Sequence, residues 1–318
     1  MKIVIPGGSG QVGQILARYF HARGDSVTVL SRSPKATAPW RTIAWDGETL
    51  GPWTAELEGA DAVIHLSGRS VNCRYTPENR RQILDSRVVP TRLLGRAIEQ
   101  ATQPPKLWMN ASTSTLYRHA LNHPQDEFTG EILNPQPGVP ETFNFSVGVG
   151  LQWEQAFHES TTPATRKIAL RTSMVMSPDH GGVFSVLLGL VRAGLGGTQG
   201  NGHQYVSWIH DHDYAHAIDF LIGRPDISGP VNMTSPNPQP NCDFMRTIRD
   251  AWKMPVGLPA YDWMLEIGAV FLRTETELIL KSRRVVPGVL LEKGFQFEFP
   301  DWQQAAQNLV ERTKAADR

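Results

Sequence analysis

Short apolar runs alternate with helical stretches through the first half of the chain. Ile3-Val4-Ile5 reads as a buried strand, and a helical stretch then leads to a second strand over residues 26–30. Residues 41–45 predict a short third strand. Residues 61–68 predict a buried fourth strand that ends in small residues, where backbone must pass close to a ligand. Residues 77–101 have helical composition, with a kink or restart expected at Pro90 because proline removes a donor and crowds the preceding turn. Residues 106–112 and 166–171 predict fifth and sixth strands, with a helix over 143–159 between them. Such alternation implies right-handed crossovers and an α/β fold with a doubly wound parallel sheet.

After Ser177 glycine and proline become frequent and the predicted helices shorten. Asp213 is placed to cap a helix over 214–222, and Asn241 one over 243–252. From Leu258 a compact tail is expected: helices over 261–272 and 275–281, then 287–293 closed by Gly294, an alternating strand over 295–299, and a last helix capped by Asp301. The organisation that follows is an α/β core over 1–235, with 177–210 contributing to a smaller lobe, and a small C-terminal domain over 258–305. The tail is too small for a core of its own and must pack on the remainder.

Candidate chemistry begins between the first strand and the first helix. The segment Gly7-Gly8-Ser9-Gly10-Gln11-Val12-Gly13 spaces its glycines three and three. Gly7, Gly10 and Gly13 let the backbone turn tightly, approach a pyrophosphate and open a helix whose N-terminal amides face it. Ser9, Gln11 and Val12 belong to the same loop. The second strand ends in Ser31-Arg32-Ser33, where a site selective for NAD would carry an acid to bind the ribose 2′-hydroxyl. Asp25 lies before that strand and Asp46 beyond the next, so Arg32, with a planar donor fork suited to phosphate, points to NADP.

Charge narrows the partners. Lys plus Arg and Asp plus Glu both number 31, so no net field favours nucleic acid or an anionic membrane. The two cysteines, Cys73 and Cys242, show no metal or redox spacing, and no apolar run approaches the length of a membrane span. The expectation is a cytoplasmic protein acting on a small molecule, with a homodimer open to it through the exposed helices of this fold.

Several stretches together carry a family resemblance. The Gly7 to Gly13 loop, Leu66-Ser67-Gly68, Arg74-Tyr75-Thr76 with Ser86-Arg87, and Gly194-Leu195-Gly196-Gly197 leading to Trp208-Ile209-His210 resemble the YfcH-like atypical extended short-chain dehydrogenases, the epimerase-family proteins. Arg284-Val285-Val286-Pro287 and Leu291-Glu292-Lys293-Gly294-Phe295 resemble their small C-terminal domain of unknown function. The resemblance spans almost the whole chain and implies a Rossmann core, a C-terminal substrate lobe and NADP(H). It also implies contacts: Ser31 and Arg32 at the adenosine phosphate, Leu66, Ser67 and Gly68 at the strand end beside the cofactor, Gln82 and Arg87 at the ribose and pyrophosphate, and the Val175 backbone near the nicotinamide.

The chain departs from the larger superfamily in its acid. An ordinary short-chain reductase uses a Tyr with a Lys four residues later that lowers its pKa. None of the six tyrosines here has Lys at that spacing. Counting back from Trp153-Glu154, the Tyr and Lys positions fall near Ser146 and Gly150, neither of which can replace the chemistry. The candidates that remain are Ser112, Thr113 and Ser114 at the end of the fifth strand, Tyr117 close behind, His210 at the end of a cleft strand, and Glu154 on the helix. His212 and His216 have the i, i+4 spacing of two ligands, but no Glu follows His212 as a base and no metal is assigned. The segment 194–210 is expected to form a substrate-facing loop, with Gln204, Tyr205 and Trp208 for recognition. Two function classes stand: an NADP(H)-dependent oxidoreductase or epimerase acting on a small polar substrate with a noncanonical acid, and an NADP(H)-binding regulatory module.

Overall fold

The computed structural model describes residues 1–34, 36–261 and 275–317. Seven strands form one parallel sheet in the order β10-β6-β5-β4-β1-β2-β3: β1 (Lys2–Pro6), β2 (Ser26–Ser31), β3 (Arg41–Ala44), β4 (Ala62–His65), β5 (Leu107–Thr113), β6 (Arg166–Thr172) and β10 (Gly229–Met233). The order reverses at β1, whose neighbours are β2 and β4. Chain therefore leaves the sheet in opposite directions there and opens a crevice at the carboxyl ends of these strands. Ile3, Val4, Ile5, Val63 and Ile64 are fully buried, as strands covered by helices on both faces must be.

Helices α1 (Gln11–Ala22) and α5 (Asp211–Ile222) cover one face. Helices α2 (Pro77–Glu99) and α3 (Glu141–His158) cover the other. Thr76 caps α2 by accepting a hydrogen bond from the Asn79 amide, and Pro77 occupies the first turn, where its missing donor costs nothing. The helix does not restart at Pro90 but runs as one element to Glu99. Ile83 and Val88 before the proline, and Leu93, Leu94, Ala97 and Ile98 after it, are all buried, so packing holds both halves in line against the local preference.

A third apolar cluster joins α4 (Val183–Arg192) and α6 (Asn241–Trp252) to the C-terminal helix, here α9 (Trp302–Ala316). The Trp302 ring stacks on Phe244 at 4.1 Å, and its indole N–H donates to the Phe244 carbonyl at 3.0 Å. Arg312 makes a two-pronged pair with Asp211 at 2.8 and 2.7 Å, which ties the same helix to α5. The tail between them contains α7 (Glu277–Leu280) and α8 (Gly288–Glu292), the latter followed by Gly294 at φ 82°. The expected helix over 261–272 lies almost wholly outside the described residues. Among the described residues no helix is long and apolar enough to cross a membrane.

Three local expectations fail for one reason: long-range partners take the polar groups. Asp213 does not cap its helix, which starts three residues earlier than expected, at Asp211, with His210 in the capping position. The Asp213 carboxylate instead accepts the amides of Glu298 and Phe299 at 2.7 and 3.0 Å. Residues 295–299 consequently form no strand and are docked on a carboxylate where a sheet neighbour was expected. Asn241 opens α6 itself, and its side-chain oxygen accepts from the Gln199 amide at 2.8 Å.

Trp302→Ala removes an indole that is 2 % exposed, together with its stack. It is expected to lower unfolding free energy by about 3–5 kcal/mol in urea. A loss under about 1 kcal/mol would show that the C-terminal helix is not part of the folded unit.

Candidate functional site

A cleft of about 850 Å³ opens at the β1/β4 switch point. Its floor is made by Gly7 and Gly10 from the first loop and by Leu66, Ser67 and Gly68 from the end of β4. Gly7 stands at φ 76°, a left-handed conformation suited to glycine, and a Cβ there would lie 2.6 Å from the Ser67 amide nitrogen. A Cβ on Gly13 would overlap the Gly8 backbone, whereas one on Gly10 would meet nothing within 4 Å and project into open space. The three glycines therefore serve the turn, the ligand approach and the helix packing separately.

Ser31 and Arg32 form the outer end of the cleft. Arg32 is exposed and makes no ion pair among the described residues. Asp46 and Glu48 also line this end, but Asp46 is occupied by its own turn. Its carboxylate accepts the Glu48 and Thr49 amides at 2.8 and 2.9 Å and the Thr49 hydroxyl at 2.5 Å, and these bonds hold its pKa down to about 2. Gln82 reaches the cleft from α2, with its side-chain carbonyl accepting from Arg69 at 2.6 Å.

Arg87 lies behind Gly68, its guanidinium 3.2–3.5 Å from where a Cβ on that glycine would stand. It donates to the Ile83 carbonyl at 2.9 Å and packs over the Trp153 ring at 5.2 Å. No carboxylate pairs with it among the described residues, and burial lowers its pKa to about 10. A half-buried guanidinium without a counter-charge is suited to an anion that reaches it. Gly10, whose open side faces the cleft, an arginine without an ion pair among the described residues at the end of β2 and a half-buried one behind β4 together fit a phosphate-rich dinucleotide. Gln11 and Val12 lie in the first turn of α1, where a Cβ on Gly182 would overlap the Gln11 amide and Val12 packs on the core. Ser9 is exposed, and Val175 lies buried in β7 (Met174–Met176).

The expected acids are placed quite differently. Ser112 donates to Glu154 at 2.6 Å. Glu154, on α3, takes a two-pronged pair from Arg171 of β6 at 2.9 and 2.8 Å. Arg171 also donates to the Tyr117 hydroxyl at 3.0 Å, which in turn donates to Asn232 of β10 at 3.0 Å. Ser112 and Tyr117 are thus brought together, but in one buried network in which each hydroxyl already donates its proton, and burial raises the Tyr117 pKa. His210 is fully buried, stacked on Phe299 at 3.9 Å with its ring nitrogen 3.1 Å from Asn308. Burial lowers its pKa to about 4, so it sits neutral at the C-terminal helix and away from the end of β5. Thr113 is half-buried at the end of β5 and caps the next turn by accepting from the Thr115 amide at 3.1 Å.

Ser146 and Gly150 lie on the face of α3 turned to this same end. A Cβ on Gly150 would come within 2.8 Å of Leu116 and 3.1 Å of Thr113, so the room a lysine would need is filled. Ser146 donates instead to Glu277 of the tail at 3.1 Å. The tail cluster around it, which sequence reasoning missed, includes Glu277, Lys281 and Arg283, none more than about an eighth exposed at the side chain. Their only sequence signal is charge in a segment otherwise apolar.

The segment 194–210 is a stitched wall, not a free loop. Gly197 and Gly200 donate to Leu258 and Ala260, which donate back to Gly194 and Thr198 at 2.9 Å. Gln204 and Trp208 are buried, and Trp208 packs against Trp302 at 4.8 Å. Tyr205 stacks under Arg284 at 4.4 Å. The recognition role expected of them is overturned for Trp208, which belongs to the core.

Residues 3–233 match the family described as NAD dependent epimerase/dehydratase family, and residues 262–309 match the domain of unknown function DUF1731. The chain is 29% identical over 313 residues to the human epimerase family protein SDR39U1, covering 98% of this chain and 100% of that one. It is 29% identical over 314 residues to the Bacillus subtilis epimerase family protein YfhF, covering 98% of each. Among solved structures, human SDR39U1 (isoform 2) with NADPH superposes with a TM-score of 0.84 at 28% identity, covering 98% of this chain and 99% of that one.

Glu154→Gln leaves the Arg171 charge buried without its partner and is expected to destabilise the fold by about 3–5 kcal/mol. The paired replacement Glu154→Leu with Arg171→Met is expected to recover most of that loss in denaturant melts. Equal losses in both variants would mean that the pair is not the unit.

Proposed function

Because the chain belongs to the NAD dependent epimerase/dehydratase family, we propose that it is an NADP(H)-dependent oxidoreductase or epimerase acting on a small polar substrate. The observation that carries the choice of cofactor is Arg32: a free guanidinium at the carboxyl end of β2, where an acid would select NAD. The solved relative with NADPH supports the same reading. Bound there, the dinucleotide supplies or accepts a hydride. Gly10 would leave its pyrophosphate room against the first turn of α1, Arg32 and Ser31 would hold the 2′-phosphate, and Arg87 would provide the half-buried positive charge behind Gly68. Ser67 would offer a further donor along the cleft and Gln11 one at the start of α1, with the Val175 backbone toward the nicotinamide end.

The reaction common to both activities interconverts a carbinol and a carbonyl, so it requires a group that gives or takes a proton at oxygen. Ser112 and Tyr117 are committed to Glu154, Arg171 and Asn232. Thr113 remains as a polar contact for substrate, although a neutral hydroxyl is a weak acid. The same commitment of the hydroxyls favours a second reading, an NADP(H)-binding regulator without turnover. Nicotinamide absorbance followed with small polar ketones, aldehydes and nucleotide sugars separates the two. Oxidation of NADPH by any of them supports the enzyme; tight binding with no oxidation supports the regulator.

Wild type is expected to bind NADPH more tightly than NADH by about 1.5–3 kcal/mol, at least about tenfold in Kd. Arg32→Ala is expected to erase most of the difference while leaving NADH binding alone. Equal affinities in the wild type, read by nicotinamide fluorescence, would overturn the assignment to NADP.

A further inference from the structure

The missing Tyr–Lys pair leaves the carboxyl end of β5 without a proton donor, yet a cation reaches that end from another part of the chain. Lys281 is 2 % exposed, and its Nζ donates to the Thr115 carbonyl at 2.7 Å, in the turn directly after β5. Its ammonium stands 5.9 Å from the centre of the Phe143 ring, one turn of α3 before Ser146. It forms no ion pair among the described residues, and Thr115 takes one of its three donors.

The neighbours are otherwise matched. Arg283 pairs with Glu277 at 2.7 Å and donates to the Thr115 hydroxyl at 3.0 Å. The second oxygen of Glu277 accepts from Ser146 at 3.1 Å and Tyr75 at 3.4 Å. His119 accepts the Ser282 amide at 2.9 Å and is held below its usual range by burial and by Lys281 and Arg283. Glu141, in the first turn of α3, is taken by Arg80. A backbone carbonyl alone does not call for a buried ammonium, whose desolvation is costly.

We propose that Lys281, carried by the tail to the end of β5, is the proton donor to the substrate oxygen, an assignment that rests on the oxidoreductase reading. A hydride from the nicotinamide forms the new C–H bond at the carbonyl carbon. The C=O π pair moves to oxygen, and that oxygen takes a proton from Nζ. NADPH is oxidised, the carbonyl is reduced to an alcohol, and the neutral amine regains its proton from solvent. The reverse direction removes the proton from a carbinol. Burial and Arg283 lower the lysine pKa to about 7 against the opposing pull of Glu277, which lets the same amine act either way near neutrality. Reduction then declines as pH rises through that value, because the donor form is lost.

The experiment uses the full chain saturated with NADP⁺, labelled with ¹³C at lysine Cε, with the Lys281 resonance assigned by its absence in Lys281→Arg. The expected midpoint is near 7; a midpoint in the ordinary lysine range, about 10.4, overturns the inference with no substrate involved. Carbonyl reduction is measured in parallel. Lys281→Arg keeps the charge and the bond to Thr115 but gives up no proton at these pH values. It is expected to lose at least about a hundredfold in kcat with NADPH affinity and Tm preserved, while Lys281→Met, checked for the same affinity, loses as much. Turnover retained in Lys281→Arg overturns the donor role and leaves only a structural cation. A wild type that oxidises NADPH with no carbonyl overturns the oxidoreductase reading itself, and the titration distinguishes the two failures.

Discussion

The ion pair between Glu154 and Arg171 decides how the central sheet meets its covering helix. Arg171 belongs to β6 and Glu154 to α3, and both are nearly buried. Two charges in such a place are tolerable only when every prong is met. Ser112 from β5 and Tyr117 complete the set, and Asn232 extends it to β10. Four segments distant in sequence are thereby fixed at the carboxyl end of the sheet. The same closure withdraws Ser112 and Tyr117 from chemistry, since a hydroxyl already committed to a buried charge has no proton to lend.

That withdrawal gives the tail its importance. The Gln125 amide donates to the Arg284 carbonyl and the Gln125 carbonyl accepts from the Val286 amide, Asn232 donates to the Val286 carbonyl at 3.0 Å, and the Ser207 hydroxyl donates to the Val285 carbonyl and accepts from the Val285 amide. The tail is therefore anchored directly after Glu277, Lys281 and Arg283, which are presented by a braced segment. Glu275 adds a bond to the Tyr75 amide at 2.6 Å, so the loop after β4, the turn after β5 and helix α3 all close on the same piece of chain. A Rossmann core with Gly150 on α3 has no room there for its own lysine, and a cation entering from the tail avoids that obstruction.

The sheet was legible because its signals are local. Apolar runs such as 61–68 and 166–171, and glycines in the order turn, approach and packing, need no distant partner to be read. The glycine loop of the cleft shared this advantage, since Gly7, Gly10 and Gly13 lie within one turn between β1 and α1. Misreadings arose where a polar residue found its partner far away. Asp213 looked like a helix cap but holds residues 298 and 299; His210 looked like a cleft acid but faces Asn308; Trp208 looked like a recognition aromatic but fills the core. Lys281 escaped notice for the same reason. Nothing within its own segment shows that it meets Thr115, 166 residues earlier.

The proposed NADP(H) site at the β1/β4 switch point and the proposed proton donor from the tail would both be tested by a crystal structure of the full chain with NADPH bound. The expected result places the adenosine 2′-phosphate against Arg32, the pyrophosphate over Gly10, and the nicotinamide C4 facing a space bounded by Thr113, Ser146 and the Lys281 ammonium. A 2′-phosphate turned away from Arg32, or a nicotinamide whose reactive face looks onto a wall that Lys281 does not reach, would contradict it.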